Sequence, residues 1–361
     1  MLSNLGSSQN AALSTLINDD RLEGASIGVC VLSYDSGEEI IVSNPDLSLS
    51  PASSIKAMVT HAALEILGPN HQFVTRLYQS GTIAKGGMLN GDVVIMGFGD
   101  PTLGSTNFGE EKDAFLNEWL MAIKKKGILS ISGDIVVDDA YFEGSPIEGS
   151  TPLEDAGNYY GASVHGVNVF DNTCTLNLAS GPSSGDAVRF VGVNPELPGV
   201  TFISEATAAD DRKDNAFIYG QPFDHERYIR GTIPKGNKGF QIKGSIPDPA
   251  MVLGNELKKM LALKGITVSG EVRVVRETTL FPNLTLIAEK QSAPLSKIVY
   301  MTNRKSINLY AAALLRHIGM ARLKVGSIDV GIKALREFYG EKGLPLTGFW
   351  PVDGSGLSRA N

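Results

Sequence analysis

The sequence predicts a mixed α/β protein in which a helix-bearing domain is interrupted by β-rich insertions. Three observations support this. A strongly periodic helix lies near the amino-terminal end, helical texture returns from Ser296 onward, and the long middle is built of short strands and glycine-rich turns. At 361 residues the chain is too long for one ordinary hydrophobic core, so two or three domains are expected.

The opening reads as a helix from Ala11 to Ile17 that feeds a strand over Ala25–Ser33. A turn at Asp35-Ser36-Gly37 leads to a second strand, Glu39–Val42, giving an antiparallel hairpin. After Ser50-Pro51-Ala52-Ser53 comes the periodic helix, with Ile55, Met58, Val59, Ala62, Ala63, Ile66 and Leu67 at three- and four-residue spacing. Gly68-Pro69 stops it. From about Thr75 to Val164 short strands and turns alternate, with one helix over Phe115–Lys126. The Gly97-x-Gly99 turn lacks a third glycine and runs into Pro101, so it reads as a structural turn rather than a nucleotide loop. Residues 165–239 carry β-like pieces and no long helix. A helix follows at Pro249–Lys264, then a strand at Thr267–Val275, then helices over Ser306–Ala321 and Ile328–Tyr339.

Composition removes several function classes. A formal charge of −7 argues against a nucleic-acid partner, since affinity for phosphates rests on clustered Lys and Arg. The one tight basic run, Lys124-Lys125-Lys126, reads as a solvated helix end. Two cysteines make no disulfide framework, and Cys30, inside an apolar run, reads as a buried free thiol. Five scattered histidines without HExxH or CxxC give no metal site, and no cofactor motif stands out. No stretch approaches the roughly 20 apolar residues of a membrane span, and Met1–Asp20 lacks the apolar segment of a signal peptide.

The chemistry-bearing feature is Ser53-x-x-Lys56 at a helix start, the single Ser-x-x-Lys in the chain. One turn apart, the hydroxyl and amine share a face. The helix amino terminus adds unpaired N–H groups and a partial positive charge. Both favour an alkoxide at Ser53 and a neutral amine at Lys56 that takes its proton. The alternative is an N-cap serine beside a solvated lysine. A second element, Ser306-Ile307-Asn308, opens a helix. Ser-x-Asn also occurs at Ser8 and Ser105, and the alternative here is capping by Ser306. A third, Asp353 to Asn361, is a small polar loop holding Arg359.

In this order the elements resemble the Ser-x-x-Lys and Ser-x-Asn motifs of penicillin-binding proteins. The whole chain resembles the low-molecular-mass class C penicillin-binding proteins, the D-alanyl-D-alanine carboxypeptidase/endopeptidase family known as peptidase family S13. Pro51-Ala52-Ser53-Ser54-Ile55-Lys56 carries the first motif. Gly99 to Leu103, Gly133 to Asp139 and Gly157 to Ala162 resemble signatures of the inserted regions, and Ser306 to Ala311 and Asp353 to Asn361 complete the set.

The resemblance implies a β-lactamase/DD-peptidase-like domain, an antiparallel sheet with helices on both faces. It would comprise residues 1–77 and 289–361, an inserted domain II residues 78–164 and 240–288, and an inserted domain III residues 165–239. It also implies Ser53 as nucleophile, Lys56 as proton acceptor, Ser306 as relay to the leaving nitrogen and Asn308 as a donor to the substrate carbonyl. Asp155, Tyr160 and Arg359 match positions lining the pocket for the substrate's diamino-acid side chain. Peptidoglycan stem peptides are the implied substrates, β-lactams the inhibitors, and the location extracytoplasmic.

The sequence departs from the pattern at Ala312, where the family usually has Glu, and holds no Lys-Thr-Gly. In the family that the chain resembles, Lys-Thr-Gly is the third motif and lies on a strand that supplies one oxyanion donor, so the resemblance implies the loss of a donor worth about 10²–10³ in rate. The expectation is therefore an inactive or weakly active fragment. Rival readings are a non-catalytic muropeptide-binding module and a β-lactamase or esterase on the same scaffold.

Overall fold

In the computed structural model, residues 7–147 and 150–361 are described. The chain divides into two compact units, Met1–Pro51 and Ala52–Asn361.

The first unit carries helix α1 (Ser7–Ile17) and strands β1 (Val29–Leu32) and β2 (Glu39–Ser43). The strands pair antiparallel, Val29 opposite Ser43, and Ser33 N–H bonds to the Glu38 carbonyl across the expected turn. Cys30 is exposed, contrary to the reading from its apolar neighbours. A two-stranded ribbon gives its residues no second layer on one face, so an apolar run does not guarantee burial.

The second unit opens with a 3₁₀ turn at Ala52–Ser54 that runs directly into α2 (Ile55–Leu67), closed by Gly68 at φ +88°. Strands β3 (Val74–Ile83) and β4 (Met88–Gly97) form a long hairpin, followed by α3 (Ala114–Lys125), β5 (Ser130–Ile131), β6 (Ile135–Asp138) and the short α4 (Leu153–Ala156). Seven strands follow: β7 (Thr173–Ser180), β8 (Val188–Asn194), β9 (Thr201–Ser204), β10 (Thr207–Ala209), β11 (Asn215–Tyr219), β12 (Glu226–Pro234) and β13 (Phe240–Ser245). Then come α5 (Pro249–Leu263), β14 (Thr267–Val268), β15 (Val272–Val275), β16 (Leu284–Gln291), and the closing helices α6 (Leu295–Lys305), α7 (Asn308–Leu323) and α8 (Ile328–Glu341).

Strands from both sides of the middle region share one mixed sheet, ordered β14-β5-β4-β3-β16, with β6 between β4 and β15. The strands between them form two separate sheets, β13-β7-β8 and one in which β12 pairs with β9, β10 and β11. The expected strand over Thr267–Val275 is broken in two. Its parallel partner is interrupted as well, between Ile131 and Ile135, and the register is the same on both sides of the gap. At the break Gly270 N–H bonds to the Gly133 carbonyl. A Cβ there would lie 2.4 Å from that oxygen, so the backbones approach too closely for any side chain.

Two apolar cores result. One joins the mixed sheet, α3, α5 and the sheets of the middle region through Leu77, Ile95, Trp119, Leu176 and Leu253. The other is helical and joins Val59 and Ala63 of α2, Ile298 of α6, Leu314 of α7 and Leu335 of α8. Helix α7 is buried without a break from Leu309 to Gly319, as expected of a helix packed on all sides. Gly331 permits the close α7–α8 crossing, where a Cβ would lie 2.5 Å from the Leu315 carbonyl oxygen. Among the described residues no helix is long and apolar enough to cross a membrane, and no group of His, Cys, Asp and Glu is placed to hold a metal ion.

Candidate active site

The amphipathic spacing of α2 turns Ile55, Val59, Ala62 and Ala63 into the helical core, and Lys56 lies on the same buried side at 2% exposure. The helix is fixed from two directions. Thr60 Oγ1 accepts from Asn303 Nδ2 of α6 at 3.1 Å, and Tyr339 Oη of α8 donates to the Met58 carbonyl at 2.9 Å. Ser53, one turn earlier, is exposed. Lys56 Nζ donates to Ser53 Oγ at 3.0 Å. The two side chains therefore meet, with the hydroxyl open and the amine enclosed.

Lys56 has a second partner that the sequence did not announce: the backbone carbonyl of Ser355 accepts from its ammonium. That carbonyl sits in a tightly organised loop. Asp353, fully buried, accepts from the N–H groups of Ser355 at 2.8 Å, Gly356 at 2.5 Å and Ser358 at 2.7 Å. Asn361 Oδ1 accepts from the N–H groups of Val352 and Asp353. Gly356, at φ +77°, lies against the first motif, where a Cβ would come 1.8 Å from the Ala52 carbonyl oxygen. The stretch Asp353–Ser358 is thus a largely buried brace on the Ser53 turn, and only Arg359 and Ala360 of the polar string are exposed. The one signal in the sequence was an Asp followed by Ser and Gly, a pattern that hydrogen-bonds its own backbone.

Ser306 does not cap α7. It takes a left-handed conformation at φ 54° at the end of α6 and is exposed, and the helix begins at Asn308. The bend turns the chain between two helices, and Asn308 Nδ2 donates to the Tyr160 carbonyl at 2.7 Å. A cleft lined by Tyr160, Ser163, Asn308, Ala312, Ser355 and Leu357 brings the second motif and the Asp353 loop together. Its Tyr160 wall is held by buried groups, as Ser163 Oγ pairs with His165 Nε2 at 2.8 Å and His165 Nδ1 with Asp139 at 3.4 Å. Burial pushes the Tyr160 phenol well above its ordinary range, and the adjacent, hydrogen-bonded Asp155 carboxylate pushes it further. Asp155 thus lies against Tyr160 but is not itself part of the cleft lining. Arg359 is exposed on the Asp353 loop and is not part of the cleft lining.

Residues 9–361 match the model of the D-Ala-D-Ala carboxypeptidase 3 (S13) family. The chain belongs to this family. Among curated S13-like relatives, it is 28% identical to a D-alanyl-D-alanine carboxypeptidase of Actinomadura sp. (strain R39), over 97% of this chain and 64% of that protein. It is 24% identical to the D-alanyl-D-alanine carboxypeptidase DacB of Haemophilus influenzae, over 94% of this chain and 68% of that protein. The chain thus spans about two thirds of the length of these relatives. The crystal structure of penicillin-binding protein 4 (dacB) from H. influenzae superposes with a TM-score of 0.78 at 22% identity, covering 92% of this chain and 71% of that one. A structure of the same protein complexed with a β-lactam gives 0.74 at 23% identity. The fold is therefore that of penicillin-binding protein 4.

Proposed function

We propose that this S13 peptidase carries the serine acyl-transfer site for D-Ala-D-Ala peptides of peptidoglycan, that β-lactams acylate the same serine, and that the 361-residue chain, which holds no Lys-Thr-Gly, turns over weakly or not at all. The observation that carries this reading is the Lys56 amine, enclosed and held 3.0 Å from the exposed Ser53 hydroxyl. In its neutral form Lys56 takes the Ser53 proton while Ser53 Oγ attacks the carbonyl of the penultimate residue. The carbon–nitrogen bond then breaks, and the leaving D-alanine nitrogen receives a proton relayed through Ser306. Water cleaves the resulting ester and restores Ser53. Asn308 holds the substrate's peptide carbonyl from the cleft wall, and the Ser53 N–H contributes one oxyanion donor.

Asp155, with Tyr160, suits a free ammonium on the substrate's side chain, and Arg359 suits a carboxylate. The organisation that fits this activity is a catalytic part, residues 1–77 and 289–361, carrying two inserted domains, residues 78–164 with 240–288 and residues 165–239. Acting on cell-wall peptides places the protein outside the cytoplasm.

Labelling with a fluorescent penicillin tests the reading. The Ser53→Ala protein is expected to lose all covalent label while keeping its fold by circular dichroism. Equal labelling of both proteins removes Ser53 from the mechanism.

A further inference from the structure

One end of the mixed sheet is strongly basic. Strands β4, β5 and β14 run parallel there, with Met88 and Thr267 both opposite Ser130. Helices α3 and α5 end just before β5 and β14, so two helix carboxyl termini and the β3–β4 turn meet at this edge. The turn is seated on the loop after α3. The Leu129 N–H bonds to the Gly87 carbonyl at 2.7 Å, and a Cβ at Gly87 would lie 2.7 Å from Leu129 Cγ. Lys85 on the turn, Lys124, Lys125 and Lys126 at the end of α3, and Lys264 at the end of α5 are all exposed. None of them has an ion-pair partner among the described residues. Residues 84–89, 121–130 and 261–268 include no Asp or Glu, in a chain whose 39 acidic residues outnumber its 32 Lys and Arg.

Large apolar side chains stand among these lysines. Leu263 is 74% exposed, Met121 65%, Leu129 60% and Met88 43%. Met121 lies one turn before Lys124 and Lys125, on their face of α3. Lysines at a helix carboxyl end offset its dipole, which accounts for those on α3 and α5. It does not account for Lys85 on a hairpin turn, nor for four apolar side chains left in water at the same edge. Single exposed apolar residues are ordinary, whereas a group of them rimmed by one sign of charge marks a binding surface.

We propose that this edge docks on an anionic lipid bilayer, with its lysines on the headgroup phosphates and Leu129, Leu263, Met88 and Met121 in the headgroup–acyl boundary. Charge and apolar character together select the occupant. A soluble polyanion pairs with ammonium groups but offers nothing to Leu or Met, and an apolar protein groove leaves the lysines without partners. The boundary of an anionic bilayer supplies both, and lysine stems lie along apolar surface while their heads reach the phosphates. None of these residues lines the Tyr160–Asn308 cleft, so the docking surface is separate from it and does not rest on the acyl-transfer reading.

The test is co-sedimentation of the 361-residue chain with phosphatidylglycerol vesicles, with phosphatidylcholine vesicles as the neutral comparison. Binding is expected to the anionic vesicles alone, and to fall steeply between 0.05 and about 0.5 M salt as the charges are screened. An anionic surface raises affinity about fivefold per nearby lysine, so Lys124→Glu, Lys125→Glu and Lys126→Glu together should lower it at least about a hundredfold. Leu129→Ser with Leu263→Ser should lower it about tenfold or more while leaving the salt dependence in place. Arg212→Glu, Lys213→Glu and Lys238→Glu together make the same change of net charge at exposed positions on the turns of the middle sheets, and should have little effect. All these side chains are exposed, and a thermal melt of each variant separates lost binding from lost fold. No binding to phosphatidylglycerol vesicles at 0.05 M salt overturns the proposal. So does an equal loss in both triple variants, which would reduce the effect to net charge. Binding that ignores the leucine changes and is matched by soluble polyphosphate would overturn it too, in favour of a polyanion site.

Discussion

Adding one methyl group at Gly356 should disarm Ser53 without altering its side chain. The new Cβ would lie 1.8 Å from the Ala52 carbonyl oxygen, 2.2 Å from its carbon and 2.9 Å from Ser53 N. All three atoms are backbone at the head of α2, so no side chain can swing aside. The φ of +77° adds the left-handed penalty of an L residue, about 1–2 kcal/mol, to an overpacking cost of about 1–3 kcal/mol. The sum, about 2–5 kcal/mol, exceeds the typical worth of one hydrogen bond to a charged group, about 1.5–3 kcal/mol. Relief therefore comes by the Asp353 loop lifting off, which takes the Ser355 carbonyl away from Lys56. Misplacement of about 1 Å in a catalytic group costs about a hundredfold in rate. Gly356→Ala should therefore lower the rate of fluorescent-penicillin labelling by about that factor and lower the urea midpoint. Wild-type labelling at an unchanged midpoint would refute the claim that this loop positions the serine–lysine pair.

Two neighbouring buried groups should give opposite pH slopes of stability. Burial lowers His317 to about 4, against the help of its bond to the Gly99 carbonyl, so its contribution is complete above 6.5 and is lost as pH falls toward 4. Asp100, raised by burial from 3.8 to about 6, does the reverse, as its folded form holds the proton more tightly and stability falls as pH rises through that window. Each shift corresponds to about 3 kcal/mol, so in the wild type the two largely offset. Asp100→Asn should lose stability steeply on acidification, His317→Gln should gain it, and parallel urea midpoints for the two variants between pH 4 and 6.5 would contradict this account. Asp353→Asn turns one acceptor oxygen toward a backbone N–H as a donor and should cost about 1.5–3 kcal/mol by urea denaturation, while an unchanged midpoint would show that the loop does not depend on that carboxylate.

What the sequence disclosed and what it withheld divide along a physical line. The α2 helix was legible because apolar spacing and its Gly68 stop are local, and Ser53 and Lys56 meet because three residues make nearly one turn. Asn308 was legible as a residue type, although its helix was expected to start two residues earlier. The backbone of Ser306 is left-handed, a conformation that a serine side chain does not advertise. The Ser355 carbonyl was invisible because every residue has one, and only the fold decides which is aimed at an ammonium. The exposed Cys30 and the broken strand at Gly270 belong with it, since both depend on what packs or pairs alongside.

The hydrogen bond from Lys56 to Ser355 spans 299 positions of chain. A ribosome therefore releases Ser53 long before it makes the group that completes the lysine's surroundings. Throughout that interval the nascent polypeptide holds Ser53 and Lys56 without the strap that locks them. On the proposed mechanism, arming is thus tied to completion of residue 355, and a half-made chain would be a poor target for an acylating drug.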